Sequence, residues 1–139
     1  MAVSPESGVS VTARFVVALI SADDSLQQLA REACQSKYEL AVCTDPTLER
    51  ETLFRSNVRL IIIDDEAIDE PIRGWLLDQI RRFSNHAMLV YVASHHSESS
   101  EKRARSYQVQ YYTSKPIDPE RTLRVLRSLL EALKAREAV

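Results

Sequence analysis

Acidic side chains follow two apolar segments of the sequence, and a lysine follows a later segment. Asp23 and Asp24 come after the first apolar segment, and three acids at 64–66 come after the most apolar one. Lys115 lies 51 residues beyond Asp64. Clustered carboxylate oxygens suit a hard divalent cation such as Mg²⁺, and a carboxylate beside such a cation can act as a nucleophile. These residue types are therefore compatible with a divalent-cation site, at which a carboxylate can form an aspartyl phosphate when the metal is present.

Segments of strand length alternate with segments of helical spacing along the chain. The segment at 58–63 is continuous and rich in β-branched residues, as expected for a central parallel strand that is buried on both faces. The predicted strands lie at 14–21, 38–43, 58–63, 87–93 and 109–112. The predicted helices lie at 25–34, 46–54, 71–83, 97–107 and 119–136. This alternation predicts an α/β fold, in which helices cover both faces of one parallel sheet.

Apolar residues at helical spacing indicate which side chains the helices bury. The first helix is expected to bury Leu26, Leu29, Ala30, Ala33 and Cys34. The third helix is expected to bury Ile72, Trp75, Leu76, Ile80 and Phe83, and the last helix Leu123, Leu126, Leu130 and Leu133. For the short second helix, Asp45 is a candidate N-cap, with Pro46 at the first helical position.

The carboxyl ends of parallel strands meet at one edge of a sheet, where open α/β sheets bind their ligands. The first and third predicted strands deliver residues 22–24 and 64–66 to this edge, and the fifth delivers Lys115. We therefore expect the carboxylates and the lysine to form a single site.

The composition is that of an ordinary globular domain. The 139 residues include 18 Lys and Arg against 20 Asp and Glu, for a formal net charge of −2. This balance argues against a basic nucleic-acid binder and against an acidic disordered tail. The apolar run at 15–20 is too short to span a membrane, and no signal-peptide cleavage pattern follows it. We expect a flexible arm at 1–13 and one cytoplasmic domain at 14–139, with no membrane or nucleic-acid contact.

Other residues with chemical potential have a structural interpretation. Gly8 and Gly74 are the only glycines, which argues against a glycine-rich phosphate-binding loop. Cys34 and Cys43 lie among apolar residues and are expected to be buried and reduced. The adjacent histidines at 95–96 have no cysteine nearby and are expected to lie in a solvated loop.

Three stretches of the chain together resemble a bacterial response-regulator receiver domain. They are Leu-Ile-Ser-Ala-Asp-Asp at 19–24, Leu-Ile-Ile-Ile-Asp at 60–64 and Tyr-Thr-Ser-Lys-Pro at 112–116. The separation of 41 residues between Asp23 and Asp64 agrees with the family, as does the position of Lys115. The resemblance extends from about Arg14 to the final helix. It implies a flavodoxin-like, doubly wound (βα)5 fold with strand order 2-1-3-4-5.

The resemblance implies a role for each matching residue. Asp64 matches the aspartate that accepts the phosphoryl group, and Lys115 matches the lysine that contacts it. Asp23 matches a carboxylate ligand of Mg²⁺, Asp64 is a ligand of the same ion, and Glu66 would contribute its backbone carbonyl. The bond between Lys115 and Pro116 is expected to be cis.

Switch residues are also implied, and here the chain departs from the family pattern. Tyr112 matches the aromatic switch residue. The switch hydroxyl at the end of the fourth strand falls on Ala93 when counted from Lys115, and on Ser94 when counted from Asp64. If Ala93 occupies this position, the hydroxyl that normally contacts the phosphoryl group is missing.

The acidic pair after the first strand departs in a similar way. Ala22 stands at the first position of the pair when the spacing of Leu26 and Leu29 sets the register, which weakens the Mg²⁺ site. A shift of one residue would make Asp23 and Asp24 the pair, but this shift fits the following helix less well.

Two functions follow from the resemblance. The first is a phosphorelay receiver that accepts a phosphoryl group on Asp64 from a histidine kinase or a phosphotransfer protein. It would signal to an effector or a second copy through the face of helix four, strand five and helix five, without being an enzyme. The alternative is a phosphorylation-independent pseudo-receiver that acts as a protein–protein interaction module.

Overall fold

The computed structural model describes residues 15–46 and 49–137. It contains one sheet of five parallel strands with helices on both faces. The strands are β1 (Val16–Ile20), β2 (Glu39–Cys43), β3 (Val58–Asp64), β4 (Met88–Ala93) and β5 (Tyr111–Ser114). The helices are α1 (Asp24–Cys34), α2 (Arg50–Leu53), α3 (Glu70–Phe83), α4 (Glu98–Ser106) and α5 (Pro119–Glu137). The strand order is β2-β1-β3-β4-β5, so the predicted fold class and order are confirmed. The arm predicted at 1–13 lies outside the described residues.

The central strand β3 is apolar on both faces because helices cover both sides of the sheet. Leu60 and Ile62 pack with residues of α1 and α5, while Ile61 and Ile63 pack with residues of α3. Each of these four side chains is at most 2% exposed. Burying such a side chain contributes about 1.5–3 kcal/mol relative to leaving it exposed. Strand β3 therefore holds its last residue, Asp64, on a firmly packed element.

Helix α1 begins at a side-chain cap. The Asp23 carboxylate oxygen Oδ1 accepts hydrogen bonds from the backbone N–H groups of Ser25 and Leu26, at 2.9 and 3.3 Å. These bonds satisfy backbone donors that have no partner within the helix. The residues predicted to be buried in this helix are buried: Leu26, Leu29, Ala30, Ala33 and Cys34.

Helix α2 is shorter than predicted. It covers Arg50–Leu53, with Glu49 at the capping position. The Glu49 carboxylate accepts hydrogen bonds from the backbone N–H groups of Thr44 and Asp45, at 2.9 and 3.1 Å, so it stabilises the turn after β2. The helix therefore begins at Arg50 rather than at Pro46. The predicted capping by Asp45 depends on residues 47 and 48, which lie outside the described residues, so it stays a prediction.

Helix α3 buries a different set of side chains from the predicted one. Leu76, Leu77 and Ile80 are its buried residues, whereas Trp75 and Phe83 are 41% and 56% exposed. Leu77, which the predicted stripe omitted, takes the inward position. Trp75 and Phe83 are eight residues apart and share the adjoining, outward strip of the helix. The prediction that these two rings face the core is wrong.

Strand β5 lies two residues further along the chain than predicted. Gln108 adopts a φ of 63°, in the left-handed region, so the turn after α4 extends past this residue. The strand then pairs Ser114 with Ala93 of β4. Lys115 consequently lies directly beyond the end of β5, at the edge where β3 ends.

The two cysteines are buried and do not form a disulfide. Burial raises the pKa of the Cys34 thiol to about 11 and that of the Cys43 thiol to about 12. Both thiols are therefore protonated at neutral pH, as expected for small apolar residues of the core. Across 15–46 and 49–137, no helix has the length and apolar character needed to cross a membrane.

Candidate functional site

Asp64 ends β3 with its side chain almost fully buried, at 1% exposure. Its Oδ2 accepts a hydrogen bond from the Ser21 hydroxyl at 2.7 Å and one from the Lys115 ammonium at 3.0 Å. Its Oδ1 accepts a hydrogen bond from the backbone N–H of Glu66 at 3.1 Å. Charged and hydroxyl donors thus compensate for the cost of burying this carboxylate.

Lys115 places its ammonium group among three carboxylates. Its Nζ lies 3.0 Å from Asp23 Oδ2, 3.0 Å from Asp64 Oδ2 and 2.6 Å from Glu66 Oε1. Partial burial favours the neutral amine, but the hydrogen bonds to the carboxylates outweigh it and raise the pKa of Lys115 above its ordinary value. The backbone N–H of Lys115 donates to the Ala93 carbonyl at 2.9 Å, and the bond to Pro116 is cis, as predicted.

Asp23 connects the site to helix α1. One carboxylate oxygen caps the helix, while the other receives the Lys115 ammonium. The hydrogen bond from Lys115 lowers the pKa of Asp23, and the backbone N–H groups of Leu26 and Ser25 lower it further, against the opposing effect of burial. The capping role and the role in the site are therefore carried by the same side chain.

A cavity of about 370 Å³ opens beside Asp64 and is lined by Ala22, Asp23, Asp64, Glu66 and Ala67. The structure therefore brings together the predicted site residues Asp23, Asp64, Glu66 and Lys115. Ala22 faces the cavity without a polar side-chain atom.

Three carboxylates line the cavity and one ammonium group, that of Lys115, contacts them, so the excess of negative charge favours a cation. Mg²⁺ typically uses one or two protein carboxylates and keeps several water ligands. Within the two described ranges, no three His, Cys, Asp or Glu side chains are arranged as a group that could hold a metal ion. The residues thus fit a largely hydrated cation held by Asp23 and Asp64, rather than a centre ligated fully by protein.

Ser21 is a residue of the site that the sequence analysis missed. Its neighbour Ile20 pairs with Ile63 in the sheet, so Ser21 lies beside Asp64, one position further along both strands. The Ser21 hydroxyl also accepts a hydrogen bond from the Asp23 backbone N–H at 3.0 Å. The sheet register could have identified it, because the residue that follows the last residue of β1 has to lie beside the residue that follows Ile63.

Asp65 lies beside Asp64 in the chain but has separate partners. Its Oδ2 accepts a hydrogen bond from the Tyr91 hydroxyl at 2.9 Å, and its Oδ1 accepts one from the Ser94 backbone N–H at 2.8 Å. Burial, reinforced by the neighbouring Asp65 carboxylate, raises the pKa of Tyr91, so this phenol stays protonated and able to donate. Arg73 adds a longer ion pair to Asp65 at 3.9 Å.

The predicted switch residues lie close to Asp65 and to Tyr91, which donates to it. Ala93 is fully buried and has no hydroxyl, and Ser94 contributes its backbone N–H to Asp65. The ring of Tyr112 is stacked on that of Tyr91, with centroids 5.9 Å apart and planes 8° from parallel. The Tyr112 hydroxyl lies 3.1 Å from His96 Nδ1. Their switching role stays a prediction.

No protein-family model matches the chain, and no curated protein matches it. Solved structures do match. A receiver domain protein from Methanospirillum hungatei aligns with a TM-score of 0.72 and 12% identity, covering 89% of this chain and 99% of that one. This chain has the receiver fold. The fold agrees with the family resemblance identified in the sequence.

Two further matches have the same fold. A phosphorylated cyanobacterial phytochrome response regulator aligns with a TM-score of 0.67 and 15% identity, covering 86% of this chain and 93% of that one. The Mn²⁺-bound form of the response regulator Rcp1 aligns with a TM-score of 0.64 and 15% identity, covering 83% of this chain and 91% of that one. Similarity at this level establishes the fold, so the chemistry of the site is argued from its own residues.

Proposed function

We propose that this chain is the receiver module of a two-component phosphorelay and accepts a phosphoryl group on Asp64. The observation that carries the proposal is the 3.0 Å contact between Asp64 Oδ2 and the Lys115 ammonium, beside a cavity that also reaches Asp23. A buried carboxylate held by one cation at an open cavity is suited to act as a nucleophile, with the cation stabilising charge on the entering group.

The reaction transfers a phosphoryl group from a phosphohistidine of the donor protein. An oxygen of Asp64 attacks phosphorus, and the new O–P bond forms as the P–N bond to the donor imidazole breaks. The electron pair of the P–N bond stays on the imidazole, which takes a proton from water. Lys115 is placed to bind the transferred oxygens, because its ammonium already contacts the attacking carboxylate.

Mg²⁺ held by Asp23 and Asp64, with the Glu66 carbonyl as a further ligand, would neutralise the phosphoryl charge when bound. A phosphorylated receiver and a Mn²⁺-bound response regulator among the proteins of the same fold support this assignment. Without an oxygen-bearing side chain at Ala22, the site depends on Asp23 for its second carboxylate.

The chain would modify itself without turning over a substrate, so we propose a signalling module rather than an enzyme. The donor would be a histidine kinase or a phosphotransfer protein of the cytoplasm. The output face would comprise α4, β5 and α5, where Tyr112 connects to the site through its stacking on Tyr91. An effector or a second copy of the chain would bind there.

A second candidate function, the phosphorylation-independent interaction module, is favoured by a different observation. Both oxygens of Asp64 are engaged by donors of the protein, and Lys115 is shared among three carboxylates. Ala93 offers no hydroxyl for a phosphoryl oxygen. In this alternative, Lys115 is the permanent cation of the site, and the fold presents one fixed set of surfaces.

Backbone amide NMR of the ¹⁵N-labelled chain distinguishes the two functions. The chain is titrated with Mg²⁺ and then with beryllofluoride, a phosphoryl mimic, and Asp64→Asn is titrated in parallel. The receiver function predicts shifts around Asp23, Asp64 and Lys115 that extend to Tyr112 and are absent in Asp64→Asn. No response to the mimic at saturating Mg²⁺ would refute phosphorylation and leave the interaction module.

A further inference from the structure

A strip of aromatic and arginine side chains covers the outer surface of α2 and α3, away from the cavity. Among the described residues, Trp75 and Phe83 are the exposed large apolar side chains. Phe54, directly after α2, packs edge-on against Phe83, with ring centroids 5.9 Å apart. Single exposed apolar residues are common on soluble proteins, but two exposed rings on one strip of a helix, beside a third ring, indicate an interaction surface.

Two guanidinium groups lie over these rings. Arg50 lies over Trp75 and Phe54, at 5.6 and 5.9 Å from the ring centroids. Arg82 lies over Phe83, at 5.7 Å. The five side chains are therefore connected in the order Trp75, Arg50, Phe54, Phe83 and Arg82. We name this surface the aromatic–arginine patch.

Among the described residues, no ion pair neutralises the positive charge of the patch. Some surface arginines have an acidic partner, as Arg55 has Glu39 at 3.2 Å. In the part of the chain that the structure describes, neither Arg50 nor Arg82 forms a salt bridge. Their ring contacts hold the guanidinium groups in place and leave their N–H donors available to an acceptor from outside.

The acidic residues beside the patch do not change this balance. Asp78 on α3 accepts a hydrogen bond from the Tyr107 hydroxyl at 2.6 Å. Glu51 on α2 is exposed, but it forms no salt bridge with a described residue. Both acids would oppose the continuous line of phosphates in a nucleic acid, whereas they leave room for separate carboxylates placed opposite Arg50 and Arg82.

We propose that the aromatic–arginine patch binds an acidic segment of a partner protein, in which carboxylates alternate with apolar side chains. Guanidinium groups bind carboxylates through paired hydrogen bonds. The rings of Trp75 and Phe83 would bury the apolar side chains, as exposed aromatic and arginine residues do at the centre of many interfaces. Because the arginines are already positioned by the rings, little side-chain entropy is lost on binding. The site is separate from Asp64 and does not depend on phosphorylation.

The proposal is tested with two labelled peptides of equal length, in which either Glu or Lys alternates with Leu and Phe. Trp75 is the only tryptophan of the chain, so its fluorescence reports binding at the patch. We expect the Glu peptide, but not the Lys peptide, to change the Trp75 emission saturably and to raise the peptide's fluorescence anisotropy. Replacing both arginines (Arg50→Gln with Arg82→Gln) should weaken this binding about tenfold, the effect of losing two exposed charge pairs.

The matched control is Arg124→Gln, which replaces an exposed arginine on α5. This variant should bind the Glu peptide as the unchanged chain does. Phe83→Ser tests the apolar contact and should weaken binding without removing any charge. Thermal unfolding of each variant shows whether it is folded, and a variant that fails to fold is replaced by single Arg50→Gln and Arg82→Gln changes.

Failure of the Glu peptide to bind overturns the proposal, as do equal binding of both peptides and unchanged binding by the arginine variants. Displacement of the Glu peptide by oligo(dT) would assign the patch to nucleic acid. Self-association that Phe83→Ser abolishes would assign it to a second copy of the chain.

Discussion

Two adjacent aspartates at the end of β3 lie in contrasting environments. Asp64 accepts hydrogen bonds from Ser21 and the Lys115 ammonium, and it borders the open cavity. Asp65 accepts hydrogen bonds from the Tyr91 hydroxyl and the Ser94 backbone, and it does not line that cavity. Both are almost fully buried, at 1% and 3% exposure, so burial alone does not separate them.

The partners of each carboxylate distinguish the aspartate that we propose is phosphorylated from the one that makes a structural contact. The cation at Asp64 is an ammonium group on a flexible side chain that also reaches two other acids. The cation near Asp65 is Arg73, whose guanidinium is occupied with the backbone carbonyls of Asp65 and Ile68. Asp65 therefore joins the turn after β3 to the end of β4, while Asp64 borders the open cavity.

The largest expected effect is on phosphorylation itself. With Mg²⁺ and a small-molecule phosphoryl donor such as acetyl phosphate, Asp65→Asn should still gain one phosphoryl group, whereas Asp64→Asn should gain none. The reason is that, of these two aspartates, only Asp64 lines the cavity and contacts Lys115. Intact-protein mass spectrometry measures the gain. Phosphorylation that persists in Asp64→Asn and disappears in Asp65→Asn would reverse the assignment of the two aspartates.

The second effect is on stability at Asp65. Replacing Asp65 by Ala leaves the buried Tyr91 hydroxyl and the Ser94 backbone N–H without their acceptor, and each unsatisfied group costs about 1–3 kcal/mol. We expect the free energy of unfolding to fall by about 3 kcal/mol, as measured by urea denaturation. The matched control is Asp24→Ala on the exposed first turn of α1, which should change stability by about 0.5 kcal/mol or less. Equal losses in the two variants would mean that Asp65 does not join the turn to β4.

The contrast between the two aspartates was only half visible in the sequence. The α/β alternation could be predicted from hydrophobic periodicity, and the order of the strands from the resemblance to receiver domains. The meeting of Asp23, Asp64 and Lys115 could be predicted because parallel strands end at the same edge of the sheet. Nothing in the local pattern separates Asp64 from Asp65. Their difference comes from Ser21 and Tyr91, which reach them from neighbouring strands.

The errors have the same origin. Trp75 and Phe83 fit the apolar period of α3, but the period does not tell which side of a wide stripe meets the sheet, and Leu77 took the inward place. Helix α2 begins later than expected, at Arg50, and the preceding Glu49 binds the backbone N–H of Thr44. Each correction depends on a contact between residues whose partner the sequence pattern does not name.

The third effect concerns Lys115, the cation of the site, and the pH dependence of the stability that its ion pairs provide. The pKa of Asp23 is lowered below its ordinary 3.8, with the hydrogen bond from Lys115 as the main cause, so this pair stabilises the fold above that pH. That contribution is lost as the pH falls through the lowered pKa of Asp23. The pKa of Lys115 is raised above 10.5 despite its partial burial, because three carboxylates accept its hydrogen bonds. Its contribution is therefore present below 10.5 and lost as the pH rises through the raised value.

Lys115→Met tests this pH window. The variant leaves the buried Asp64 carboxylate without a cation, and we expect a loss of about 2 kcal/mol at neutral pH. The difference from the unchanged chain should narrow in acid, as the pH falls through the lowered pKa of Asp23, and again in strong alkali, where Lys115 loses its charge. Urea denaturation across the pH range measures the difference. A constant difference at all pH values would show that packing of the Lys115 stem, rather than its charge, stabilises the site.

The smallest effects compare the two hydroxyl groups that donate to the two aspartates. Ser21→Ala removes the 2.7 Å bond to Asp64, and Tyr91→Phe removes the 2.9 Å bond to Asp65. Each variant should lose about 1.5 kcal/mol of stability, the lower end of what hydrogen bonds to charged groups contribute. The two should differ in phosphorylation. Without Ser21, one donor fewer competes for the attacking oxygen, so the acetyl phosphate reaction should be as fast as in the unchanged chain or faster. Tyr91→Phe should leave that rate unchanged, because its hydroxyl does not contact Asp64. A slower reaction in Ser21→Ala would make this hydroxyl a positioning group for Asp64 rather than a competitor.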